Sequence, residues 1–313
     1  MSFRDELLPT LRLPTICAPM FLVSGPELVV AACRAGVVGA FPTINARTPD
    51  ELSRWLSDIR DGLAGAPPGA PLPPFAANLI VHRTNSRLGP DLERCIQHEV
   101  PLVITSVGDP GDVVERVHAY GGRVLHDVAS VRHARRAAAA GVDGMVLLCA
   151  GAGGQTGRLN PFAFVSEVRR FFDGLLAVAG GVTEGRSIAA IEVAGADLAY
   201  LGTAFIATRE SRANDAYKTM VVDSGADDVL LTLGRTGLPS NMLAPSLERA
   251  GWSRDRLPPI GTDIDLTTLL DDDTSPWRDI WSAGHGVGGV TTADTTADVV
   301  ARLQLEYEAS RPG

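Results

Sequence analysis

The sequence has few basic residues and no long hydrophobic segment, and each shortage excludes a class of protein. Its 313 residues include 28 Lys and Arg against 37 Asp and Glu, so the net charge is -9 and the isoelectric point lies near 5.2. Nucleic-acid binding draws on clustered cations that displace counterions from phosphates, so no nucleic-acid partner is expected. No window of 18 residues is uniformly apolar and no charged leader precedes an apolar run at the N-terminus, so neither a membrane span nor secretion is predicted.

Cysteine is also scarce. Cys17, Cys33, Cys95 and Cys149 are far apart, and none of them has the spacing of a metal-ligand pair. This pattern predicts buried thiols in a reducing compartment and no metal site, and the expected location is the cytoplasm.

Eight short apolar runs recur along the first two thirds of the chain, with amphipathic segments between them. The runs are almost continuously apolar, which is typical of parallel strands buried on both faces. Most intervening segments open with a capping residue or Pro, and several close on Gly. The pattern predicts the α/β class, as a (β/α)8 TIM barrel, with a doubly wound open sheet as the alternative. The runs begin near Thr15, Val37, Phe75, Leu102, Arg123, Gly144, Leu175 and Asp197.

The pattern changes after the eighth run. Residues 208–273 combine a helical segment, a β-like patch and a loop-rich stretch, and they predict a small lid or substrate subdomain inserted after the eighth strand. Residues 1–207 would then form the barrel. Residues 274–313 would return to it and end in a helix packed on its outside.

Active groups of such barrels lie at the carboxyl ends of the strands, where this sequence supplies polar residues and glycines. After the sixth, seventh and eighth strands come "AGAGGQTG", "AGGVTEG" and "LGTAF". Missing side chains there would let backbone N–H groups approach an anion, so a phosphate-bearing ligand is predicted. A dinucleotide fingerprint is not matched, because Thr156 stands where its last glycine would be.

In chain order, "CAPM", "AANL", "GAGGQTG", "AGGVTEGRS", "YLGTAFIATRES", "GRTGLPSNML" and "WSAGHGVG" resemble the nitronate monooxygenases, formerly called 2-nitropropane dioxygenases. The resemblance runs from about Thr15 to Gly289. It implies a barrel with a lid, an FMN cofactor, and oxidation of alkyl nitronates with O2 to a carbonyl compound and nitrite. A small organic anion and O2 are the expected partners, and a homodimer is the default expectation.

The resemblance also implies where FMN would lie. Its phosphate would be held by backbone near the seventh and eighth strands, and its ring would lie over the end of the first strand. The predicted cofactor-binding residues are Ala18, Pro19, Met20, Asn78, Ser106, His126, Gly151, Gly153, Gly154, Gly180, Gly181, Tyr200, Leu201, Gly202 and Thr203.

One departure from the family concerns the proton chemistry. Most members carry His as a base after the paired glycines of the loop, whereas this chain has Gln155. An amide cannot accept a proton near neutral pH, although it can donate a hydrogen bond. The family more often has Gln where His285 stands, so the two residues could have exchanged places and returned an imidazole to the flavin; the other interpretation is a histidine of a surface loop.

The predicted catalytic residues are therefore Gln155, which would orient the substrate, and His285 or His126, which would handle a proton. His126 is expected inside the barrel mouth, with Asp127 pointing away from it, because neighbours on a strand face opposite sides. A core histidine satisfied by its neighbours is the other interpretation of His126.

Two further functions stay open at this stage. One is an NAD(P)H-dependent FMN reductase of quinones or enoyl thioesters on the same scaffold. The other is a flavin-free barrel that binds a phosphate ligand. An isomerase or lyase is disfavoured, since no Glu or Lys stands at a strand end to act as base or Schiff-base amine.

Overall fold

The computed structural model describes residues 2–65, 72–232, 237–253, 255–257 and 279–311. Eight parallel strands close into a barrel, each paired with the next, and β9 pairs with β1 through the register Tyr200↔Ile16. This confirms the predicted (β/α)8 barrel, and the doubly wound alternative is wrong. The barrel strands are β1 (Thr15–Cys17), β2 (Val38–Pro42), β3 (Ala76–Ile80), β4 (Leu102–Ser106), β5 (Arg123–Val128), β6 (Gly144–Leu148), β8 (Leu175–Ala179) and β9 (Leu198–Leu201), while β7 (Gly154–Gln155) lies outside the barrel.

Helices follow the strands and form the outer ring. Their first turns are capped as the sequence predicts, because Thr48, Ser130 and Asn160 each accept a hydrogen bond from a backbone N–H of the turn that follows. The helices are α1 (Phe3–Leu7), α2 (Pro26–Ala35), α3 (Pro49–Ala64), α4 (Leu88–Gln97), α5 (Gly111–His118), α6 (Val131–Ala139), α7 (Pro161–Arg169), α8 (Gly185–Val193), α9 (Thr203–Ile206), α10 (Asp215–Asp223), α11 (Ala244–Arg249) and α12 (Thr296–Ser310).

The C-terminal helix α12 completes the ring, because it packs against both α8 and α2. Its Glu306 accepts a hydrogen bond from the N–H of Gly185 at 2.7 Å, which satisfies a donor at the start of α8. On the same face, the Tyr307 hydroxyl donates to Glu192 at 2.6 Å. No described helix is long and apolar enough to cross a membrane.

Alternation along each strand divides the core into two layers. One layer fills the barrel interior and includes Ile16, Ala40 and Leu125. The other lies between the strands and the helices and includes Val124 and Val128, which are on the opposite face of β5 from Leu125. The direction in which each strand end points follows from this division.

A buried carboxylate ties the amino-terminal side of the barrel together. Asp197, whose side chain is fully buried, lies 2.5 Å from Arg169 Nη2 and 2.8 Å from Arg4 Nε. It also accepts the N–H of Leu176 at 2.8 Å. Asp197, the residue that precedes β9, therefore fixes β8, α7 and α1 against one another.

Beyond β9 the chain builds a second, antiparallel sheet. β10 (Val229–Thr232) pairs with β11 (Ser240–Leu243), and β11 pairs with β7 through Ser240↔Gln155 and Asn241↔Gly154. The segment after the eighth strand is therefore joined to the glycine loop. The predicted division at 207 and 273 stays a prediction, and residues 258–278 lie outside the described residues.

Candidate active site

A cavity of about 550 Å³ opens at the carboxyl ends of the barrel strands. This volume lies within the range that holds a cofactor or a drug-sized ligand. The barrel rim forms its floor and sides, and residues 279–284 form part of its wall. Fourteen of the predicted site residues line it: Ala18, Pro19, Met20, Asn78, Ser106, Gly151, Gly153, Gly154, Gln155, Gly180, Gly181, Tyr200, Gly202 and Thr203.

The rim of β8 and β9 offers backbone donors. Gly180 and Gly181 follow β8 with φ of 136° and 69°, a backbone that favours glycine, and an added Cβ at Gly181 would meet nothing within 4 Å. Among the described residues, no acceptor is found for the N–H groups of Gly180, Gly181, Gly202 or Thr203. Four unpaired amides at one edge of a cavity suit an anion such as a phosphate.

The glycine loop has a second purpose that the sequence did not reveal. A Cβ at Gly153 would lie 2.7 Å from the N of Gly284 and 2.8 Å from the C of Ala283. The missing side chain lets the returning chain pass directly over the loop. Hydrogen bonds from His285 N to Gly151 O (2.9 Å) and from Gly284 N to Thr203 Oγ1 (2.9 Å) hold it there.

The turn after β1 is fixed by a side chain that the sequence analysis did not single out. Buried Asn45, which follows β2, donates to Met20 O at 3.0 Å and to Ser24 O at 2.8 Å, and it accepts from Leu22 N at 2.9 Å. Leu22 has φ of 61°, an uncommon conformation for a residue with a side chain. Asn45 therefore holds Met20 and its neighbours in the cavity wall.

Asn78, in the middle of β3, lies beside Ser106, the last residue of β4. The Asn78 amide nitrogen donates to Ile104 O at 3.1 Å and to Ser106 Oγ at 3.3 Å. Since that nitrogen is engaged, the carbonyl oxygen of Asn78 is the atom left for a ligand.

His126 does not face the cavity, which corrects the prediction. It occupies the same side of β5 as Val124 and Val128, in the layer beneath the helices, and its Nδ1 lies 2.8 Å from Thr105 Oγ1. Burial lowers the pKa of His126 to about 4. His126 and Asp127 do lie on opposite faces of β5, but the histidine is on the outer face, because a continuously apolar strand does not indicate which face is inside.

His285 also lies outside the cavity lining, although Gly284 and Gly286 belong to it. Its side chain is exposed and packs on Gly151, where an added Cβ would be 3.0 Å from its Nδ1. The structure thus places neither of the two predicted imidazoles, those of His126 and His285, in the cavity lining. Leu201, at the end of β9, points into the outer layer and reaches the rim only through its backbone, which accepts from Ala18 N at 2.9 Å.

Asp127 is the functional candidate that the sequence analysis missed. It lies on the inner side of β5 and lines the cavity, yet no described group donates to its buried Oδ1. Burial raises the pKa of Asp127 to about 8. Tyr200, across the barrel, is 9% exposed with an equally unpartnered hydroxyl, and burial together with Asp127 raises its pKa.

An aromatic stack forms the outer wall. Tyr217 and Trp281 are parallel with ring centres 4.9 Å apart, and the guanidinium of Arg249 lies 3.9 Å from the centre of the Trp281 ring. The Tyr217 hydroxyl donates to Ser282 O at 2.6 Å, which fixes the returning chain to α10. Tyr217, in the stretch "AYK" (residues 216–218), is not among the site residues predicted from the sequence.

Comparisons with known proteins agree with this geometry. The model of the nitronate monooxygenase family matches residues 6–250. A nitronate monooxygenase of Paraburkholderia phytofirmans is 28% identical over 296 residues, covering 79% of this chain and 78% of that protein. A putative monooxygenase of Mycobacterium tuberculosis is 31% identical over 185 residues, covering 58% of this chain.

A second protein of Mycobacterium tuberculosis, an indene-carboxyl-CoA dehydrogenase, is 26% identical over 237 residues, covering 75% of this chain. The matches span only 49% and 64% of the two Mycobacterium proteins.

Solved structures share the fold. A nitroalkane oxidase from Streptomyces ansochromogenes superposes with a TM-score of 0.79 at 25% identity, covering 96% of this chain and 97% of that one. FabK from Thermotoga maritima reaches 0.79 at 23% identity, covering 97% and 95%, which speaks to the fold alone.

Proposed function

Since this chain belongs to the nitronate monooxygenase family, whose members are FMN-dependent flavoenzymes, we propose that it oxidises alkyl nitronates or similar small organic anions with O2, releasing a carbonyl compound and nitrite. The observation that carries the proposal is a set of four amides, where β8 and β9 reach the cavity, that have no acceptor in the part of the chain that the structure describes. These amides supply what a phosphate monoester needs, at the place where barrels commonly bind one.

The chain's own residues divide the work of binding. Gly180, Gly181, Gly202 and Thr203 would hold the FMN phosphate through their N–H groups. The turn from Ala18 to Met20, held by Asn45, and the free carbonyl oxygen of Asn78 would meet the ring system. FMN, when bound, supplies the redox chemistry; the protein orients it and limits the access of water.

In this proposal, Gln155 determines which ionisation state of the substrate the protein can oxidise. It lines the cavity from β7 and can donate a hydrogen bond to an anionic oxygen, but it has no basic nitrogen. A pre-formed nitronate needs no proton removed, whereas a neutral nitroalkane does. The proposed substrate is therefore the anion.

The test has two stages. The absorption spectrum of the purified protein, or of protein mixed with FMN and desalted, is expected to show about one bound flavin per chain. Nitrite release from propyl-2-nitronate is then compared with release from freshly diluted neutral 2-nitropropane, and kcat/KM for the anion is expected to be higher by at least about 100-fold, the usual contribution of a general base. A protein that binds no flavin would instead favour the flavin-free barrel.

A reductase or dehydrogenase of acyl thioesters is the second candidate. It is favoured by the relatives from Mycobacterium tuberculosis and Rhodococcus jostii, which are named for acting on an indene-carboxyl-CoA and are 26% and 25% identical to this chain. Rapid anaerobic bleaching of the bound flavin by NADH or NADPH, without nitrite release from nitronate, would support this function over the first.

We also propose that residues 208–273 act as a lid over the cavity, because β11 is paired to the glycine loop and Tyr217 and Ser240 line the cavity. We further propose that the protein is a homodimer, which light scattering tests, and that it is located in the cytoplasm, which cell fractionation tests.

A further inference from the structure

The floor of the cavity contains two polar groups without partners. Asp127 Oδ1 and Tyr200 Oη are both buried, both belong to residues that line the cavity, and neither receives or donates a hydrogen bond among the described residues. A buried polar atom left unpaired is costly, and because Asp127 is only half-buried and lines the cavity, its carboxyl group can turn to a partner that enters the cavity.

The surroundings of Asp127 favour its neutral form. Its neighbours at the cavity are Ser106 on β4 and Leu148 on β6, neither of which carries a charge. Tyr200 on β9 is the titratable group that faces it across the barrel, and Asp127 raises the pKa of this tyrosine. Among the described residues, the other charged side chains of the cavity lining are Arg212 and Asp279.

Neither of those two charged residues contributes to the state of Asp127. Its pKa is raised to about 8 by burial, and no cation of the described residues offsets this effect. Arg212 is engaged elsewhere, because its guanidinium lies 4.9 Å from the centre of the Trp55 ring. His126 lies on the outer side of β5, and the exposed Asp109, in the loop after β4, acts electrostatically on this histidine.

We propose that Asp127 is a ligand-contacting acid, a neutral carboxyl group that donates its proton in a hydrogen bond to an acceptor atom of the molecule bound in the cavity, with the Tyr200 hydroxyl as a second donor. The inference rests on the proposed function in one respect, namely that FMN is the molecule bound. A buried carboxylic acid kept neutral in order to donate is a known use of such a group.

The consequence is a cofactor affinity that depends on pH. If only the neutral carboxyl donates, ionisation of Asp127 removes the hydrogen bond and places a negative charge beside the ligand. The Kd for FMN should then rise about tenfold between pH 7 and pH 9 in the unaltered protein, because bound and free protein differ in proton affinity.

Three substitutions separate the possible causes. Asp127→Asn keeps the shape and a donor but cannot ionise, so its Kd should lack that tenfold rise. Asp127→Leu removes the donor and should bind FMN about tenfold more weakly at pH 7. Asp109→Asn is the matched control, since it removes one exposed carboxylate outside the cavity and should keep the pH dependence of the unaltered chain.

The measurement is FMN binding by fluorescence quenching from pH 6 to pH 9, with the full chain stripped of flavin. The ionisation of free FMN is the same in every experiment, so the readout is the difference between the variants in how their Kd for FMN changes with pH. The proposal is overturned if Asp127→Asn keeps the same pH dependence as the unaltered chain, or if the unaltered chain shows none.

Failure of the proposed function would look different. A chain that binds no FMN at pH 6 in any form contradicts the cofactor assignment, and the neutral acid is then tested without ligand. Chemical unfolding at pH 6 and pH 9 should show a loss of stability on raising the pH that is smaller in Asp127→Asn. Equal losses in both proteins would overturn the neutral carboxyl itself.

Discussion

The close passage of the returning chain over Gly153 makes Gly153→Ala an informative perturbation. The added Cβ would lie 2.7 Å from the N of Gly284 and 2.8 Å from the C of Ala283, where ordinary contact begins at 3.4 Å. Both are backbone atoms, so the overlap cannot be relieved by rotating a side chain. The segment must move away by about 0.7 Å, or the loop must move by the same amount.

The expected cost follows from this overlap. Overpacking of this kind lowers the free energy of unfolding by about 1–3 kcal/mol. For a chain of this length, such a loss lowers the melting temperature by about 2–5 °C. The displacement also strains the bond from Gly284 N to Thr203 Oγ1, and Thr203 supplies one of the four rim amides. FMN affinity should therefore fall as well, by about tenfold for each 1.4 kcal/mol lost at the rim.

Thermal unfolding by circular dichroism and FMN titration measure the two effects. Gly288→Ala is the control, since an added Cβ there would meet nothing within 4 Å although it lies in the same returning segment. If Gly153→Ala and Gly288→Ala unfold at the same temperature and bind FMN equally, the close approach does not restrain this cavity wall and the reasoning is refuted.

Three other outcomes are expected. Gln155→His should raise kcat/KM for neutral 2-nitropropane by about 10-fold or more while leaving the nitronate nearly unchanged, because it supplies the missing base; an equal change for both substrates would contradict this. His126→Asn should leave FMN binding unchanged and make the protein less sensitive to acid. The pKa of His126 in the folded state is lowered to about 4, so its contribution to the free energy of unfolding is fully present above about pH 6.5. As the pH falls towards 4, the unaltered chain loses up to about 3 kcal/mol of that free energy. Urea unfolding of both proteins at pH 5 and pH 7.5 measures this loss, and an identical pH dependence in the two would count against the prediction. Asp197→Asn should lower the free energy of unfolding, measured in urea, by about 2–3 kcal/mol, because Arg169 and Arg4 then lose the carboxylate with which they pair. A loss below about 0.5 kcal/mol would show that these ion pairs contribute little to stability.

The barrel could be predicted because its signal is local and repeated. Each strand is a short apolar run and each helix start carries its own capping group, as at Thr48, Ser130 and Asn160. Eight repetitions leave few alternative topologies. The carboxyl ends of the strands could be predicted from the same pattern, and it placed the glycines after β8 and β9 at the rim where the cavity opens.

What the tertiary structure decided was direction and long-range contact. His126 and Asp127 are neighbours on one strand, and only the closed barrel shows that the aspartate faces the cavity and the histidine faces the helices. A strand that is apolar on both faces carries no mark of which face is inside. Likewise, the reason for glycine at 153 is a backbone that lies 130 residues away in sequence.

The sequence by itself therefore determined the architecture, the family and the edge of the barrel where the cavity opens, since these depend on patterns within a few tens of residues. The three-dimensional packing decided which acid lines that cavity, which histidines do not, and what the glycine loop accommodates. Those properties depend on the pairing of strands around a closed sheet, and no local pattern records that pairing.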